Sequence, residues 1–484
     1  MRRRATEENQ LSNEIVDKFA HELASMVRRR QLSPVEVVEA FISQIEKRNG
    51  EINAIVTMAP DAVEQARKAQ VLLNDPAKCG PLHGVPVTIK DTIETAGLLT
   101  TAGSRILKLN VPTIDAPAVA ALKSAGAIVL GKTNVPEMAM TYETENCLFG
   151  RTINPYNPAL TPGGSSGGEA AAIASKMSPL GLGSDLSGSI RIPANFCGIF
   201  GLKPTPGVVS SLGHIPQTGG ALSTGAVLGP MARCARDLRL FLDSIGVSEF
   251  LNGERLSENP GAWSVCWFSG GPKMPVSDSV AFAIDLVVNL LRNLGATVEE
   301  FMPPQFLKSS ELWIELFADP AAEVVSSLYA DRFYEAGDFV KRVLSAKQKR
   351  TTQGLENRQI SPGELDIKRS ELFDSLKKFD FVVAPVGAVN AFPHETRSVM
   401  VPGETVNVFK AFGFSQAANV FGLPSVAVPV GFDSSGTPIG VQLLGNPYSE
   451  LRLIAAAEFI ERKLGNIHGC KAAENVNLKD AVQR

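Results

Sequence analysis

Two serines and one lysine of this 484-residue chain stand in surroundings that could support acyl transfer. Ser189 lies in Gly183-Ser184-Asp185-Leu186-Ser187-Gly188-Ser189-Ile190-Arg191. Small residues at 187 and 188 let consecutive backbone N–H groups turn toward one point beside a hydroxyl. A hydrolase needs this pairing of a nucleophile with preformed donors for the oxyanion. Ser165, in Gly163-Gly164-Ser165-Ser166-Gly167, lies 24 residues upstream, at a second place where backbone can approach a ligand. None of the five histidines has a suggestive context, so the base must be another group, and Lys90 at the end of an apolar strand is the candidate. A lysine with the ordinary pKa of about 10.4 is only ~0.04% neutral at pH 7, so this role requires burial that lowers the pKa by ~2–3 units. Two plainer readings stay open: Lys90-Asp91 as a surface ion pair, and the glycine-serine stretches as turns.

Two formal motif matches compete with this site. Gly126-Ala127-Ile128-Val129-Leu130-Gly131-Lys132-Thr133 satisfies GxxxxGK[ST], but a phosphate loop needs exposed amides and a following helix. Its four loop positions are a core-like Ala-Ile-Val-Leu run, and Val135-Pro136 stands where the helix should continue, so a strand followed by a turn is expected. Gly163 to Gly167 also satisfies GxSxG, the nucleophile elbow, with Ser165 attacking. That elbow needs an apolar strand just upstream, where residues 154–162 are a proline-broken loop, and a base drawn from His214, His394 or His468.

Composition narrows the field. Lys plus Arg (47) nearly balances Asp plus Glu (50), which leaves no basic field for nucleic acid. The six cysteines (79, 147, 197, 234, 266, 470) contain no close pair, against a disulfide scaffold and a CxxC metal site and in favour of a reducing cytoplasm. Met1-Arg2-Arg3-Arg4 resembles the start of a signal peptide, but a polar stretch follows, and no run reaches the roughly 18–20 apolar residues of a membrane helix. Residues 150–235 hold 16 of the 42 glycines and only seven charged side chains, with enough apolar residues to indicate tightly packed backbone rather than a linker.

The elements that must position the site alternate as in an α/β protein. Helical spacing marks 15–27, and Ser33-Pro34-Val35-Glu36 is a capping box opening a second helix that Gly50 can close. A helix at about 61–73 precedes a strand at 85–90, which presents Lys90 on the face opposite Val85, Val87 and Ile89. A helix at 115–124 leads to a strand at 127–130. Further on come strands near 263–268 and 297–301 around a helix to 294, a charged helical stretch at 305–378, strands at 381–384, 425–429 and 439–443, and a closing helix at 449–464.

At these residues the sequence resembles the amidase signature family. The glycine-serine signature is matched at 162–170 and the serine-nucleophile segment at 181–193, while Leu82-His83-Gly84-Val85-Pro86-Val87-Thr88-Ile89-Lys90-Asp91 resembles the lysine motif. Segments 131–137, 201–205 and 440–445 also fit, and 131–137 accounts for the false phosphate loop. The resemblance implies an α/β fold, a single large domain with a central mixed twisted β-sheet covered by helices on both faces. Residues 1–60 would be a helical segment packed on the core, 61–470 the signature domain with its densest part at 80–235, and 471–484 a polar tail. Ser189 would be the nucleophile, Ser165 a bridging serine after a cis peptide bond, and Lys90 the base. The backbone N–H groups of Leu186, Ser187, Gly188 and Ser189 would form the oxyanion hole. Ser166 would support the lysine, and Asp185 and Arg191 would hold the loop, with no cofactor and no metal. One departure is visible: the family usually has Gly-Gly before the nucleophile and here the first is Ser187, which costs roughly 1 kcal/mol if that backbone needs positive φ.

Residues 126–206 look most like fatty acid amide hydrolases, whose pocket loop corresponds to Met138-Ala139-Met140-Thr141-Tyr142, with Gly164 beside the substrate. Flexible methionines there suit a neutral, partly hydrophobic acyl or aryl group, although the same side chains could be core. The implied activity is an amidase acting on linear amides through an acyl-enzyme, with carbamate (urethane) and ester hydrolysis as related activities of the same machinery. Its partner is a small molecule, with a homodimer admitted and a cytoplasmic location expected. The rival is a glutamine-hydrolysing subunit of an amidotransferase complex, which needs a carboxylate-binding site and a partner surface. No dedicated pair of charges for glutamine is evident, and Ile192 is apolar where those subunits often carry a polar residue. A catalytically dead binding protein is the third reading, disfavoured because Lys90, Ser165 and Ser189 are all present.

Overall fold

The computed structural model describes residues 12–251, 256–353 and 360–467, so the basic start, His468, Cys470 and the expected tail at 471–484 lie outside the described residues. Eleven strands form one sheet: β1 (Ile55–Met58), β2 (Pro86–Lys90), β3 (Ile128–Thr133), β4 (Leu180–Asp185), β5 (Phe200–Lys203), β6 (Val227–Ala232), β7 (Ser264–Trp267), β8 (Thr297–Glu300), β9 (Phe381–Ala384), β10 (Ser425–Phe432) and β11 (Pro438–Leu444). They lie in the order β1-β3-β2-β4-β6-β5-β10-β11-β9-β7-β8. β2 runs parallel to both β3 and β4, and β7 parallel to both β8 and β9, while the remaining pairs are antiparallel. The sheet is therefore mixed, and helices flank it in a single α/β domain. The boundary at residue 60 falls beyond β1, so the first segment contributes an edge strand as well as helices.

The N-terminal helices form for the reasons their sequence contains. Ser33 Oγ accepts from the Glu36 amide (3.1 Å) while the Ser33 amide donates to Glu36 Oε2 (2.8 Å), closing the capping box on the helix Pro34–Ile52. That helix buries Val37, Val38, Phe41 and Ile45, then runs past Gly50. It stops instead at Asn53, whose left-handed backbone (φ 54°) is held by its own side chain, with Nδ2 donating to the carbonyls of Phe149 (2.7 Å) and Arg151 (3.1 Å).

β2 is buried on both faces, as a parallel strand inside a covered sheet should be, so Thr88 and Lys90 are as dry as Val87 and Ile89. β3 is longer than the expected 127–130 because Gly131, Lys132 and Thr133 pair with Thr88, Ile89 and Lys90 instead of turning away. The false phosphate loop is thus sheet interior, and Lys132 Nζ is spent on the Ile93 carbonyl and the hydroxyls of Thr95 and Thr100 (both 3.0 Å). The glycine-dense stretch is tightly packed backbone, as its composition requires. A Cβ on Gly168, at the start of the helix Gly167–Ala174, would lie 2.4 Å from the Asn134 backbone just beyond β3.

The core falls into two main clusters. One joins Leu23 and Phe41 of the N-terminal helices to Phe241, Val287 and Ile460, and the other gathers Phe268, Phe306, Phe317, Leu372, Phe412 and Phe421. The charged stretch after 305 is helical as expected, in Ser309–Trp313, Asp319–Tyr329, Asp338–Thr352 and Pro362–Leu376, with a π-helical turn at Ile314–Ala318. A small hairpin (Ser398–Val401 with Glu404–Asn407) and the helices Val408–Ala411 and Gly413–Val420 are additions that periodicity did not mark.

Candidate active site

The register of β2 against β4 brings the C-terminal ends of both strands together. Thr88 pairs with Gly181 and Ile89 with Leu182, so Lys90 arrives beside Ser184. Lys90 Nζ lies 2.7 Å from Ser165 Oγ, 2.9 Å from Ser184 Oγ and 3.4 Å from the Ser184 carbonyl. Ser165 sits in the turn that enters the helix Gly167–Ala174, and the Gly164–Ser165 peptide is cis. Residues 152–166 contribute no strand to the sheet, and Ser165 Oγ meets a lysine instead of a histidine, so neither requirement of the GxSxG elbow is present. Ser166 ties the two serine segments together. Its hydroxyl donates to the Ser184 carbonyl (3.2 Å) and accepts from the Ser184 amide (3.3 Å), and its amide donates to the Ser189 carbonyl (3.1 Å).

Burial brings the pKa of Lys90 down to about 7, against Asp185 and Glu169, which favour the ammonium. The surface ion pair with Asp91 is thereby excluded, since both side chains are fully buried and Asp91 instead accepts from Thr101. Glu169 is pushed up to about 7 by burial, opposed by the hydroxyls of Thr88 and Thr133 that donate to it and then by Lys90 and Lys132.

The turn after β4 is held by charge. Burial works against ionising Asp185, but Arg191 outweighs it and holds the carboxyl well below the usual range. Arg191 Nη2 donates to Asp185 Oδ1 (3.0 Å) and Nε to Oδ2 (3.1 Å), while Nη1 reaches the Ser415 carbonyl and Gln442 Oε1 (both 2.9 Å). The Asp185 carboxylate also accepts from the amides of Gly188 (2.8 Å) and Ile190 (3.1 Å), which curls the chain around it. The Gly188 amide is therefore already engaged, leaving those of Leu186, Ser187 and Ser189 as the candidate oxyanion donors. Trp313 Nε1 donates to the Leu186 carbonyl (2.8 Å), anchoring the other side of the turn. Ser187 has no positive φ, so the departure from Gly-Gly carries no strain there, and its hydroxyl bonds to Tyr142 Oη. Gly188 is the residue in the left-handed region, at φ 108°.

A cavity opens over this turn. Its wall includes Ser165, Ser184, Leu186, Ser189 and His214, then Ser211, Gln217, Thr218, Leu222, Ala321 and Val325, with Ala139 at one side. Asp185 is the one charged residue of the wall, and its charge is met by Arg191. Of the expected pocket loop, only Ala139 reaches the cavity. Met138 has φ 54° and packs into a buried cluster with Ala102, Tyr329 and Val325, the last of which also lines the cavity wall, Met140 packs against that cluster, and Thr141 Oγ1 donates to the Glu143 carbonyl. Gly164 faces the backbone of Thr141 and Glu143, which a Cβ would approach to 2.7–2.8 Å, and it is absent from the cavity wall. Sequence reasoning considered His214 only as a base for the rejected elbow and missed that Ser184 Oγ meets both Lys90 Nζ and His214 Nε2, contacts with no spacing signature, and it missed the Tyr142–Gln416 pair behind Ser187.

Among the described residues one group could hold a metal by proximity alone, His21, Cys234 and Asp237, whose ligand atoms lie within 4.8 Å of one another. Its carboxylate is already occupied: Asp237 accepts from the amides of Ala20 and His21 and from His21 Nδ1, opening the helix Ala20–Arg28. The five described cysteines are unpaired. No helix among the described residues is long and apolar enough to cross a membrane.

Known proteins resemble this chain over most of its length. A glutamyl-tRNA(Gln) amidotransferase subunit of Thermus thermophilus is 40% identical over 59% of this chain and 60% of its own length. The protein of the same name from Alkaliphilus metalliredigens is 31% identical over 90% of this chain and 94% of its own. Fatty-acid amide hydrolase 2-A of Danio rerio is 36% identical over 65% of this chain and 62% of its own. A crystal structure of an amidase superimposes with a TM-score of 0.83 at 26% identity, covering 93% of this chain and all of that one. A bacterial aryl acylamidase does so at 0.78 and 25% identity, covering 96% and 98%. The Amidase family profile matches residues 36–454, a span that contains Lys90, Ser165 and Ser189, and the chain belongs to that family of amidase signature C–N hydrolases.

Proposed function

We propose that this chain hydrolyses small, neutral, partly hydrophobic amides through an acyl-enzyme on Ser189. The observation that carries the reading is the buried contact between Lys90 Nζ and Ser165 Oγ at 2.7 Å, beside a cavity that Ser189 lines. With its pKa brought down to about 7 by burial, a large fraction of Lys90 is neutral at physiological pH and able to take the Ser165 proton. Ser165 in turn takes the proton of Ser189, whose oxygen attacks the substrate carbonyl. The amides of Leu186, Ser187 and Ser189 receive the oxyanion, each donor worth about 3–4 kcal/mol by the usual measure of such groups. Returning the proton through Ser165 to the departing nitrogen releases the amine, and water then cleaves the ester on Ser189. Ser165 is the relay because it is anchored on the lysine, and Ser189 is the attacking serine because it closes the turn whose amides face the oxyanion and lines the same cavity wall as Ser165.

The wall supports a neutral substrate. Leu222, Ala321 and Val325 offer apolar contact, while Gln217, Thr218 and Ser211 offer uncharged hydrogen bonds. Carbamates and esters present the same carbonyl to the same donors, so carbamate hydrolysis belongs to the proposal. The test is a matched panel of anilide, ester and carbamate run with wild type, Ser189→Ala, Ser165→Ala and Lys90→Met. The Ser189→Ala variant should lose roughly 10³-fold or more of kcat/KM and all labelling by a fluorophosphonate. Retained activity in Ser189→Ala alongside lost labelling in Ser165→Ala would sink the assignment.

The names of the curated relatives favour a second reading, a glutamine-hydrolysing subunit that works with partners. Glutamine carries both an ammonium and a carboxylate, and the described cavity wall presents no uncompensated charge to either. The two readings separate when the purified single chain is offered a neutral anilide and glutamine: cleavage of the anilide alone supports the first, and glutamine cleavage that needs added partner subunits supports the second.

A further inference from the structure

His214 lies in the loop between β5 and β6, 124 residues from Lys90, and the backbone holds it there. The Ile215 amide donates to the Thr92 carbonyl (2.7 Å) and the Glu94 amide to the Gly213 carbonyl (2.8 Å), stitching the loop to the segment that leaves β2 just after Lys90. The imidazole is buried, with Nδ1 2.8 Å from the Pro216 carbonyl and Nε2 2.9 Å from Ser184 Oγ. A carbonyl can only accept, so Nδ1 carries the proton. Burial, and then Lys90, hold the ring's pKa down at about 4, so at neutral pH the ring has one proton and Nε2 presents a lone pair. The Ser184 hydroxyl must then donate to Nε2, leaving only lone pairs for Lys90 at 2.9 Å.

We propose that His214 is a positioning residue of this hydrolase: by taking the Ser184 proton it makes Ser184 an obligatory acceptor from Lys90 and so keeps the lysine's own lone pair aimed at Ser165. This rests on the reading of Lys90 as base. Without an acceptor at the imidazole position, the Ser184 hydroxyl would turn to the neutral lysine, occupy its lone pair and compete with Ser165. A hydrogen bond to the neutral amine also stabilises it against protonation. Besides the neutral His214, the titratable groups acting on Lys90 are Asp185 at the end of β4 and Glu169 from the helix Gly167–Ala174, while Lys132 on β3 and Asp91 after β2 act on each other. Glu169 titrates in the same range as Lys90 but bonds to Thr88 and Thr133, outside the His214–Ser184 chain.

The experiment compares wild type, His214→Leu and His214→Gln, reading the rate of covalent fluorophosphonate labelling by intact mass from pH 5 to 10, with Ser189→Ala as control. Leucine fills the space without an acceptor, whereas glutamine can accept from Ser184 through Oε1 and donate to Pro216 through its amide. His214→Leu should lower the high-pH plateau roughly 10- to 100-fold and move the midpoint to lower pH, and His214→Gln should recover most of both. A rate loss in both variants with the midpoint unmoved or raised would mean loosened packing and would overturn the proposal, as would wild-type behaviour in His214→Leu. Nitrogen-15 spectra of the histidine rings in wild-type protein free of fluorophosphonate read the tautomer whether or not the leucine variant folds. The Nδ1-protonated form is expected for the signal lost in His214→Gln, and the Nε2-protonated form would refute the assignment. Labelling that survived in Ser189→Ala would instead count against the proposed nucleophile, with the tautomer and midpoint still deciding the role of His214.

Discussion

Keeping Lys90 in a dry interior costs the fold stability at neutral pH. Its folded pKa of about 7 lies below the unfolded value near 10.4, so between these limits the unfolded chain binds more protons and stability rises with pH; below pH 7 the full penalty applies. The shift corresponds to about 5 kcal/mol, of which lost bonds to Ser165 and Ser184 would return about 1 kcal/mol each on replacement by an apolar side chain. Lys90→Met is expected to be inactive yet about 2–3 kcal/mol more stable than wild type at pH 7, with the difference vanishing near pH ~9 and reversing above it. Urea denaturation at several pH values measures this, and a variant less stable than wild type at pH 7 would contradict it. By the same ionisation, kcat/KM of the wild type should rise as pH passes through about 7 and level off above it.

At the scale of elements, the turn after β4 is the most constrained piece of the site. Gly188 has φ 108°, and a Cβ there would lie 2.6 Å from Ile192 Cδ1 and 2.8 Å from Ser415 Cβ. Gly188→Ala should cost about 2–4 kcal/mol and depress kcat/KM by displacing the neighbouring serine and its amide; wild-type values on both counts would show the turn to be more tolerant than its geometry implies. This part of the molecule was legible in the sequence because small residues, a hydroxyl and an acid–base pair stand within nine positions of one another. The strand of Lys90 was legible for a similar reason, its short apolar alternation. What escaped were features fixed by partners distant in sequence. Nothing near Asn53 announces that Phe149 and Arg151 will make it the helix stop in place of Gly50, and Met138 packs into the cluster around Tyr329, whose residues are distant in sequence. Ser184 and His214 meet through a hydrogen bond that spans 30 residues, and neither has a neighbour in sequence that hints at the other.

Across the whole molecule, Arg191 is the residue that ties remote parts together. Its guanidinium joins Asp185 on β4, Ser415 and Asn419 on the helix Gly413–Val420, and Gln442 on β11, partners up to 251 residues away from it in sequence. Arg191→Met would strand the Asp185 carboxylate in a dry interior, at a cost of about 3–5 kcal/mol. Adding Asp185→Asn should recover part of that loss, a coupling that a double-mutant cycle followed by denaturation would show; additive losses would mean the pair is not coupled. The cavity is arranged differently. The groups proposed to react come from the ends of β2 and β4 and the serine turn between them, whereas Thr218, Leu222, Ala321 and Val325 belong to a loop and a helix that bear none of those groups. Apart from His214, which shares the loop of Thr218 and Leu222, the two sets can vary independently. A library confined to the second set would alter which molecules the enzyme selects while leaving its bond-breaking apparatus intact, and the same division gives a diverging lineage a route to new substrates without first losing its chemistry.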